Sequence, residues 1–307
     1  MPQITFHEIS LLWMAEKSRY VKMTTMAAYS LIIQNHLEPC FGLLEDVKQL
    51  TVQKYIDTKL AQGTSATTIK GHIIVLKMIL RYGEKQGLAG QRIIDARFPT
   101  QRMKAPMAIL SINEEKKMLE YLSSHHDSYN LGLQICLFTG LRIGEVCALK
   151  WDDVDISLGI IRIRRAVHRV YLVSNGPKRS ELTVDYPKTA SSYRDIPIIK
   201  ELSDILYEYS KGKDRDSFII SGHKRPTEPQ TMRNHFKHVA NSLNLSMRRF
   251  HGLRHTFATR CVESKCDYKT LSTILGHSNV STTLNLYVHP GMEQKRKCVE
   301  EMLKAIM

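Results

Sequence analysis

The sequence predicts a mainly α-helical protein of two domains, in which a small antiparallel sheet accompanies the helices of the second domain. Three observations predict this fold. Apolar residues recur at helical spacing through the first part of the chain, the periodicity then fades over residues 90–110, and short strand-like patterns appear between residues 160 and 198. With 307 residues, the chain is long enough for two domains that each bury a core.

The first domain, residues 1–89, is predicted as a bundle of four amphipathic helices joined by short connections. A capping box, Thr5 followed by Glu8, opens the first helix. A stretch with proline and glycine closes the second helix, Thr51 opens the third, and the fourth covers residues 67–82. The apolar positions expected to face the core are Ile9, Leu12, Trp13, Tyr20, Met26, Tyr29, Ile32, Ile33, Leu37, Val52, Tyr55, Ile56, Leu60, Ile69, Ile73, Leu76 and Leu80.

Residues 90–110 are predicted as an interdomain linker, because they contain prolines and basic residues without apolar periodicity. A second capping box, Ser111 with Glu114, then opens the second domain, residues 111–290. A final amphipathic helix is expected over residues 291–307. Between them we expect helices over 129–138, 143–149, 200–210 and 229–243, strands over 160–163, 167–173 and 194–198, and an exposed hairpin or loop over 174–185.

The composition favours a polyanionic partner. Lysine and arginine number 44 against 30 acidic residues, and the net charge of +14 divides into +4 for residues 1–100 and +10 for the remainder. Basic side chains that neutralise phosphates release counterions, which drives binding to nucleic acid. A merely soluble basic protein is the alternative interpretation.

The cysteines and the hydropathy bear on where the protein works. The six cysteines contain no CxxC pair and several lie in apolar runs, as is typical of small core residues in a reducing compartment. No apolar run approaches the length of a membrane span, and the first ten residues do not resemble a signal peptide. We therefore expect a cytoplasmic protein without a membrane partner.

The most informative stretch lies near the end of the chain. If the residues after His251 are helical, His251 and Arg254 lie one turn apart on the same face. Together with His277 and the phenol of Tyr287, they offer a set of groups able to converge on one anion. Two simpler interpretations stay open: capping or surface histidines beside a half-buried tyrosine, and a helix-turn-helix over residues 258–286.

Five motifs in this order resemble the tyrosine recombinase family of the phage-integrase type, over nearly the whole chain. They are TGLRIGE (139–145), PKTASSYRDIPI (187–198), HGLRH (251–255), LGHS (275–278) and the final Tyr287. The resemblance implies a two-domain C-shaped clamp on double-stranded DNA. Residues 1–89 would form a helical, SAM-like core-binding domain and residues 111–290 a mixed α/β catalytic domain. Residues 291–307 would dock on a neighbouring subunit of a homotetramer on paired core sites; the alternative is that this helix packs on its own domain.

The resemblance also implies the catalytic positions. They are Arg142, Lys188, His251, Arg254, His277 and Tyr287, with Glu145 as the acid that supports them. Tyr287 would attack a DNA phosphodiester, form a 3′-phosphotyrosyl link and displace a 5′-hydroxyl. We expect Lys188, rather than Lys178, to protonate this leaving group and His251 to accept the tyrosine proton. His255 is expected to point away from this face and to make a structural hydrogen bond.

The implied function is site-specific recombination in a bacterial nucleoid, with integration, excision or inversion of DNA as the outcome. It implies accessory directionality factors or host DNA-bending proteins as further partners. Longer integrases carry an additional N-terminal arm-binding domain, whereas this sequence begins at the helical domain, which argues against binding to arm sites. Alternatives are a type IB topoisomerase-like or telomere-resolving enzyme, or a non-catalytic DNA-binding regulator. No metal or other cofactor is expected, since no carboxylate or His–Cys set has ligand spacing, and Asp152, Asp153 and Asp155 are expected to shape a turn.

Overall fold

The computed structural model of the chain describes residues 4–100, 108–172, 179–186, 193–247 and 249–287, and within a C-terminal helix residues 292, 296 and 299–303. These residues are mostly helical and include two small sheets, which confirms the predicted fold class. The chain divides into two compact units. The first consists of Met1–Ala105 and Val170–Glu181, and the second of Pro106–Arg169 and Leu182–Met307.

The first unit contains the four predicted helices: α1 (Phe6–Lys17), α2 (Met23–Ile32), α3 (Gln49–Ala61) and α4 (Ala66–Lys85). The capping box at the start of α1 is confirmed, because Glu8 accepts the backbone N–H of Thr5 at 2.8 Å and Thr5 accepts that of Glu8 at 3.1 Å. Helix α3 begins two residues before Thr51, whose hydroxyl accepts the N–H of Lys48 at 2.9 Å from inside the first turn.

The core of the first unit contains most of the apolar positions predicted from periodicity, and Phe6 in addition. Leu12 and Tyr20 are exceptions, with exposures of 47% and 73%. Tyr20 lies beyond the end of α1 at Lys17. Leu12 lies on another side of α1, because the buried face of this helix is centred between Ile9 and Phe6.

The second unit begins with another confirmed capping box, between Ser111 and Glu114. Its helices are α5 (Ile112–Ser124), α6 (Ser128–Thr139), α7 (Ile143–Cys147), α8 (Lys200–Ser210), α9 (Pro229–Ser242), α10 (His251–Glu263), α11 (Tyr268–Leu275) and α12 (Val280–Tyr287). All residues from 130 to 137 in α6 are buried, and α6 packs against α5, α8, α9 and α10. Helix α6 is therefore the centre of this unit.

The strands form two sheets: β1 (Val154–Asp155), β2 (Ile160–Ile163) and β5 (Arg194–Pro197) in one, β3 (Ala166–Leu172) and β4 (Arg179–Asp185) in the other. In the first sheet β2 is central and antiparallel to both neighbours, with Ile161 opposite Ile196 and Ile163 opposite Arg194. The stretch 174–185, predicted as an exposed hairpin or loop, contains strand β4 from Arg179 onwards. None of the helices described here is both long enough and apolar enough to cross a membrane.

Candidate active site

The TGLRIGE motif connects α6 to α7 through a tight turn. Gly140 ends α6 with a φ of +65°, and an added Cβ there would lie 2.5 Å from the ring of Phe257. Two residues later, Arg142 is the N-cap of α7, and its backbone N–H donates to Oε2 of Glu145 at 2.9 Å. The motif thus presents a carbonyl, a guanidinium and a carboxylate within six residues.

Helix α10 extends from His251, as its apolar spacing predicted, and Arg254 lies in its first turn with an exposure of 2%. The guanidinium of Arg254 donates to the carbonyl of Gly140 at 2.9 Å and to that of Leu275 at 2.7 Å. Burial, followed by the charge of Arg142, lowers the pKa of Arg254 to about 10, so the group is still charged at neutral pH.

The C-terminus of α11 gathers three arginines. The carbonyls of Ile274–Gly276, which we call the carbonyl turn, each accept from a different guanidinium: Ile274 from Arg194 at 2.6 Å, Leu275 from Arg254 at 2.7 Å and Gly276 from Arg142 at 3.0 Å. The last carbonyls of a helix have no partner within it and carry partial negative charge. The turn is therefore a suitable anchor for clustered cations.

Glu145 joins two of these arginines. Its carboxylate accepts from Arg142 at 3.0 Å and accepts two bonds from Arg194, at 3.0 and 2.8 Å. Burial raises the pKa of Glu145, but the hydrogen bonds from Arg194 and the charges of both arginines outweigh burial and lower this pKa to about 2. Glu145 is ionised and fixes the guanidinium of Arg142, whose side chain is 40% exposed.

Arg194 is the residue of this network to which the sequence assigned no role. Its side chain is 3% exposed, and it lies in the buried–exposed alternation of β5 on the same face as Ile196. That alternation was visible in the sequence, and it places a permanent charge on an apolar face. A charge in that position requires a carboxylate partner, which is the signal that would have identified Arg194.

His277 lies between Arg254 and Thr283. Its Nε2 is 2.8 Å from Nη2 of Arg254, which can only donate, and its Nδ1 is 2.8 Å from the hydroxyl of Thr283. Nε2 is therefore an acceptor, and the ring proton is on Nδ1. Burial and the neighbouring guanidiniums lower the pKa of His277 to about 4, which is consistent with a neutral ring.

Tyr287, the last residue of α12, combines an apolar environment with a polar one. Tyr287 belongs to an apolar cluster with Ala258, Leu271 and Leu275, while its hydroxyl is 2.8 Å from Nδ1 of His255. The expectation that His255 points away from this face is therefore wrong, because α10 and α12 pack so that this side of α10 faces Tyr287.

His251 contacts the neighbouring histidine. Its ring meets the ring of His255 edge-on, with the centroids 4.5 Å apart. Burial of the phenol raises the pKa of Tyr287, although the positive charges of Arg254 and Arg142 oppose this shift. The phenol is therefore protonated at neutral pH and lies within one connected set of hydrogen bonds and ring contacts.

Most of the predicted site residues thus converge within the second unit: Arg142, Glu145, His251, Arg254, His277 and Tyr287. Lys188 and its rival Lys178 lie outside the described residues.

The acidic residues after Trp151 shape local structure. Asp153 accepts the N–H of Lys150 at 3.0 Å, and Asp155 accepts that of Leu158 at 3.1 Å. Across the residues that the structure describes, no three His, Cys, Asp or Glu side chains are grouped as metal ligands would be. These two carboxylates therefore stabilise turns at the start of the first sheet.

Replacing Gly276 by alanine should destabilise the carbonyl turn. Gly276 has a φ of +63°, and an added Cβ would lie 2.9 Å from Nη1 of Arg194. The left-handed conformation alone costs an alanine about 1–2 kcal/mol, and displacement of Arg194 adds to this cost. Gly212→Ala is the matched control, because Gly212 has a φ of +70° with nothing within 4 Å. Urea denaturation should show a larger loss for Gly276→Ala, and equal losses would contradict the contact with Arg194.

Comparison with known proteins assigns the family. The profile of the phage integrase family matches residues 108–294, and that of the phage integrase N-terminal SAM-like domain matches residues 5–60. A tyrosine recombinase XerC-like protein of Caldanaerobacter subterraneus subsp. tengcongensis is 27% identical over 97% of this chain and 83% of its own length. The ICEBs1 integrase of Bacillus subtilis is 23% identical over 88% of this chain and 75% of its own length.

Solved structures have the same fold. The Tn1549 transposon integrase in complex with transposon right end DNA superposes with a TM-score of 0.81 at 21% identity, covering 98% of this chain and 100% of that one. A lambda integrase tetramer bound to a Holliday junction superposes with a TM-score of 0.72 at 19% identity, covering 95% and 80%. Because the family profile matches more than half of the sequence, the chain belongs to the phage integrase family.

Proposed function

We propose that this protein is a site-specific DNA recombinase that cuts and rejoins strands through a 3′-phosphotyrosyl intermediate on Tyr287. The observation that carries the proposal is that the hydroxyl of Tyr287 hydrogen-bonds His255, while its ring stacks near that of His277, which in turn bonds the buried Arg254. Membership of the phage integrase family and the relatives named tyrosine recombinase support the same reaction. The basic composition, with a net charge of +14, supports double-stranded DNA as the partner.

In the proposed reaction, the phenol oxygen of Tyr287 attacks phosphorus while the bond to the 5′-oxygen breaks. The phosphoryl oxygens gain negative charge in the transition state, and Arg142 and Arg254 offer planar charged forks to bind them. One preorganised donor of this kind contributes about 3–4 kcal/mol of transition-state stabilisation. The carbonyl turn and Glu145 hold both forks before DNA arrives, so little reorganisation is required.

The role of His277 in the proposed reaction depends on whether its Nε2 carries a proton. Its Nε2 accepts from Arg254, so it becomes a donor to a phosphate oxygen only after gaining a proton. Lys188, which matches the family's hairpin lysine, is proposed as the acid that protonates the leaving 5′-oxygen. The same reaction in reverse, with a 5′-hydroxyl from the partner strand, rejoins the DNA without ATP.

The assembly proposed for recombination is a homotetramer on two paired core sites of double-stranded DNA. The lambda integrase, whose structure has the same fold, forms a tetramer on a Holliday junction. In this chain, Val299, Met302 and Leu303 lie on the described part of the C-terminal helix and are about half exposed. This apolar stripe is suited to dock on a neighbouring subunit. Accessory directionality proteins or DNA-bending proteins are proposed as further partners of this assembly.

Replacing Tyr287 by phenylalanine should abolish covalent attachment to DNA and leave DNA binding intact. The substitution removes only the hydroxyl, and the ring still packs in its apolar cluster. The measurement uses nicked DNA duplexes whose sequences together cover the genomic region that flanks the gene. After cleavage near the nick, the short strand with the 5′-hydroxyl diffuses away, so the strands cannot rejoin and the adduct accumulates. Denaturing gels detect the protein–DNA adduct, and native gels detect binding.

The outcomes separate the alternatives. Adduct formed by the wild type and absent in Tyr287→Phe supports the proposal. Adduct that persists in the variant contradicts the assignment of the nucleophile. Relaxation of supercoiled plasmid without a specific site would favour a type IB topoisomerase-like enzyme, and binding without any adduct would favour a DNA-binding regulator.

A further inference from the structure

The hydroxyl of Tyr287 has two polar neighbours with different chemistry. One is Arg254, whose positive charge lowers the pKa of the phenol and favours its ionised form. The other is His255, with Nδ1 at 2.8 Å from the phenol oxygen. When the ring proton of His255 is on Nε2, Nδ1 accepts the hydrogen of the phenol. This arrangement gives the phenolic proton a direct acceptor.

We propose that His255, rather than His251, accepts the proton of Tyr287 when the tyrosine attacks DNA. The proposal rests on the function proposed above and adds a residue to it. In the step, the O–H bond of Tyr287 breaks and an N–H bond forms at Nδ1 of His255. The phenol oxygen forms its bond to phosphorus, and the 5′-oxygen leaves and takes a proton from the general acid or from water. Rejoining returns the proton from His255 to Tyr287.

The surroundings of His255 keep its ring available as an acceptor. Burial, followed by the charges of His251 and Arg254, lowers the pKa of His255 to about 4. Tyr287 is the titratable group that faces the ring from α12. The ring is therefore neutral at physiological pH, and Nδ1 has a free lone pair when the proton is on Nε2. Protonation of His255 should impair cleavage only as the pH falls towards about 4.

His251 has a different relation to the phenol. Its ring contacts the edge of the His255 ring at a centroid distance of 4.5 Å, one turn back along α10. The charges of Arg254 and Arg142 lower the pKa of His251 after burial. Among the described residues, it is His255 whose ring nitrogen lies at hydrogen-bond distance from the phenol oxygen, at 2.8 Å.

The test compares His255→Ala and His255→Asn in single-turnover adduct formation on nicked DNA that the wild type cleaves. Loss of a general base should slow His255→Ala by about 10²–10⁴-fold. In His255→Asn, the side-chain amide places a polar atom where Nδ1 was and hydrogen-bonds Tyr287, so this variant should fold normally. Because an amide does not accept the phenol proton, the variant should still cleave slowly. Added imidazole should restore part of the rate of His255→Ala.

A matched control is His235→Ala. His235 is another half-buried histidine of the second unit, hydrogen-bonded to Asn130 at 2.8 Å and located on α9. This variant should cleave at the wild-type rate and should not respond to imidazole. Thermal melting and native gels on each variant establish folding and DNA binding.

The two proposals fail in different ways. If the wild type forms no adduct on any duplex, the proposed function fails. If the wild type forms the adduct and His255→Asn matches its rate, His255 only holds the hydroxyl and the proposal is overturned. Wild-type rates in His255→Ala would overturn it as well, whereas slow cleavage by both variants with imidazole rescue of His255→Ala supports it.

Discussion

Replacing Arg254 by lysine should slow covalent attachment to DNA by about 10²–10³-fold, as loss of one preorganised donor does in comparable sites. The guanidinium reaches the carbonyls of Gly140 and Leu275 at once and still has N–H groups for a phosphate. A lysine ammonium carries the same charge but lacks the planar fork, so it cannot bridge both carbonyls and present a second edge to DNA. The rate of adduct formation at saturating protein measures this effect.

Arg260→Lys is the control for the charge-conserving change. Arg260 lies on the same helix and donates to the carbonyl of Leu110 at 2.8 Å and to Glu115 at 2.9 Å, outside the candidate site. Both variants should lose some stability, because an unsatisfied buried carbonyl costs about 1–3 kcal/mol. Only Arg254→Lys should lose cleavage per folded molecule. Cleavage by Arg254→Lys close to the wild-type rate would show that charge alone is sufficient at this position.

Replacing Arg194 by methionine should lower the free energy of unfolding by about 3–5 kcal/mol, because it leaves the buried carboxylate of Glu145 without its bidentate partner. The side chains of this pair are 3% and 9% exposed. Adding Glu145→Gln to Arg194→Met should recover part of the stability, since a neutral amide needs no opposite charge. Urea denaturation at neutral pH measures both changes.

Arg162→Met is the matched control for this prediction. Arg162 is on the adjacent strand β2 and pairs with Asp155 at 2.9 Å, but the two side chains are 25% and 24% exposed. Its loss should cost no more than about 1 kcal/mol. Equal losses for Arg162→Met and Arg194→Met would contradict the structural role of the buried pair.

The Glu145–Arg194 pair also predicts a pH dependence. The folded-state pKa of Glu145 lies below its ordinary value, at about 2, so its contribution to stability is fully present above the ordinary carboxyl range. That contribution is lost as the pH falls through the folded-state value. The difference in stability between the wild type and the Arg194→Met Glu145→Gln variant should therefore shrink in acid.

The sequence predicted the helices well because their signals are local. The capping boxes at Thr5 and Ser111 and the apolar spacing of α4 depend on residues within a few turns of each other. The same reasoning misplaced Leu12, whose exposure depends on which side of α1 meets the rest of the bundle. Spacing along one helix defines an apolar face only approximately, and the packing of its neighbours decides its centre.

In the candidate site too, the residues in local motifs were predicted from the sequence, and the residue that depends on a distant partner was not. The motifs identified Arg142, Arg254, His277 and Tyr287 because each belongs to a short pattern of residue types. Arg194 received no role, since its meaning depends on Glu145, forty-nine positions earlier in the chain. Its contacts become visible only when β5 is next to α7 and α11.

The sequence by itself determined the fold class, the helix starts at the capping boxes of Thr5 and Ser111, and the residue types that a phosphoryl transfer to tyrosine needs. These follow from local spacing and side-chain chemistry. Only the tertiary structure decided that three arginines share the carbonyls of Ile274–Gly276 and that His255 faces the phenol of Tyr287. The physical reason is that hydrogen-bond partners are chosen by distance in space. The packing of α10, α11 and α12 sets those distances, and no single segment of the chain encodes them.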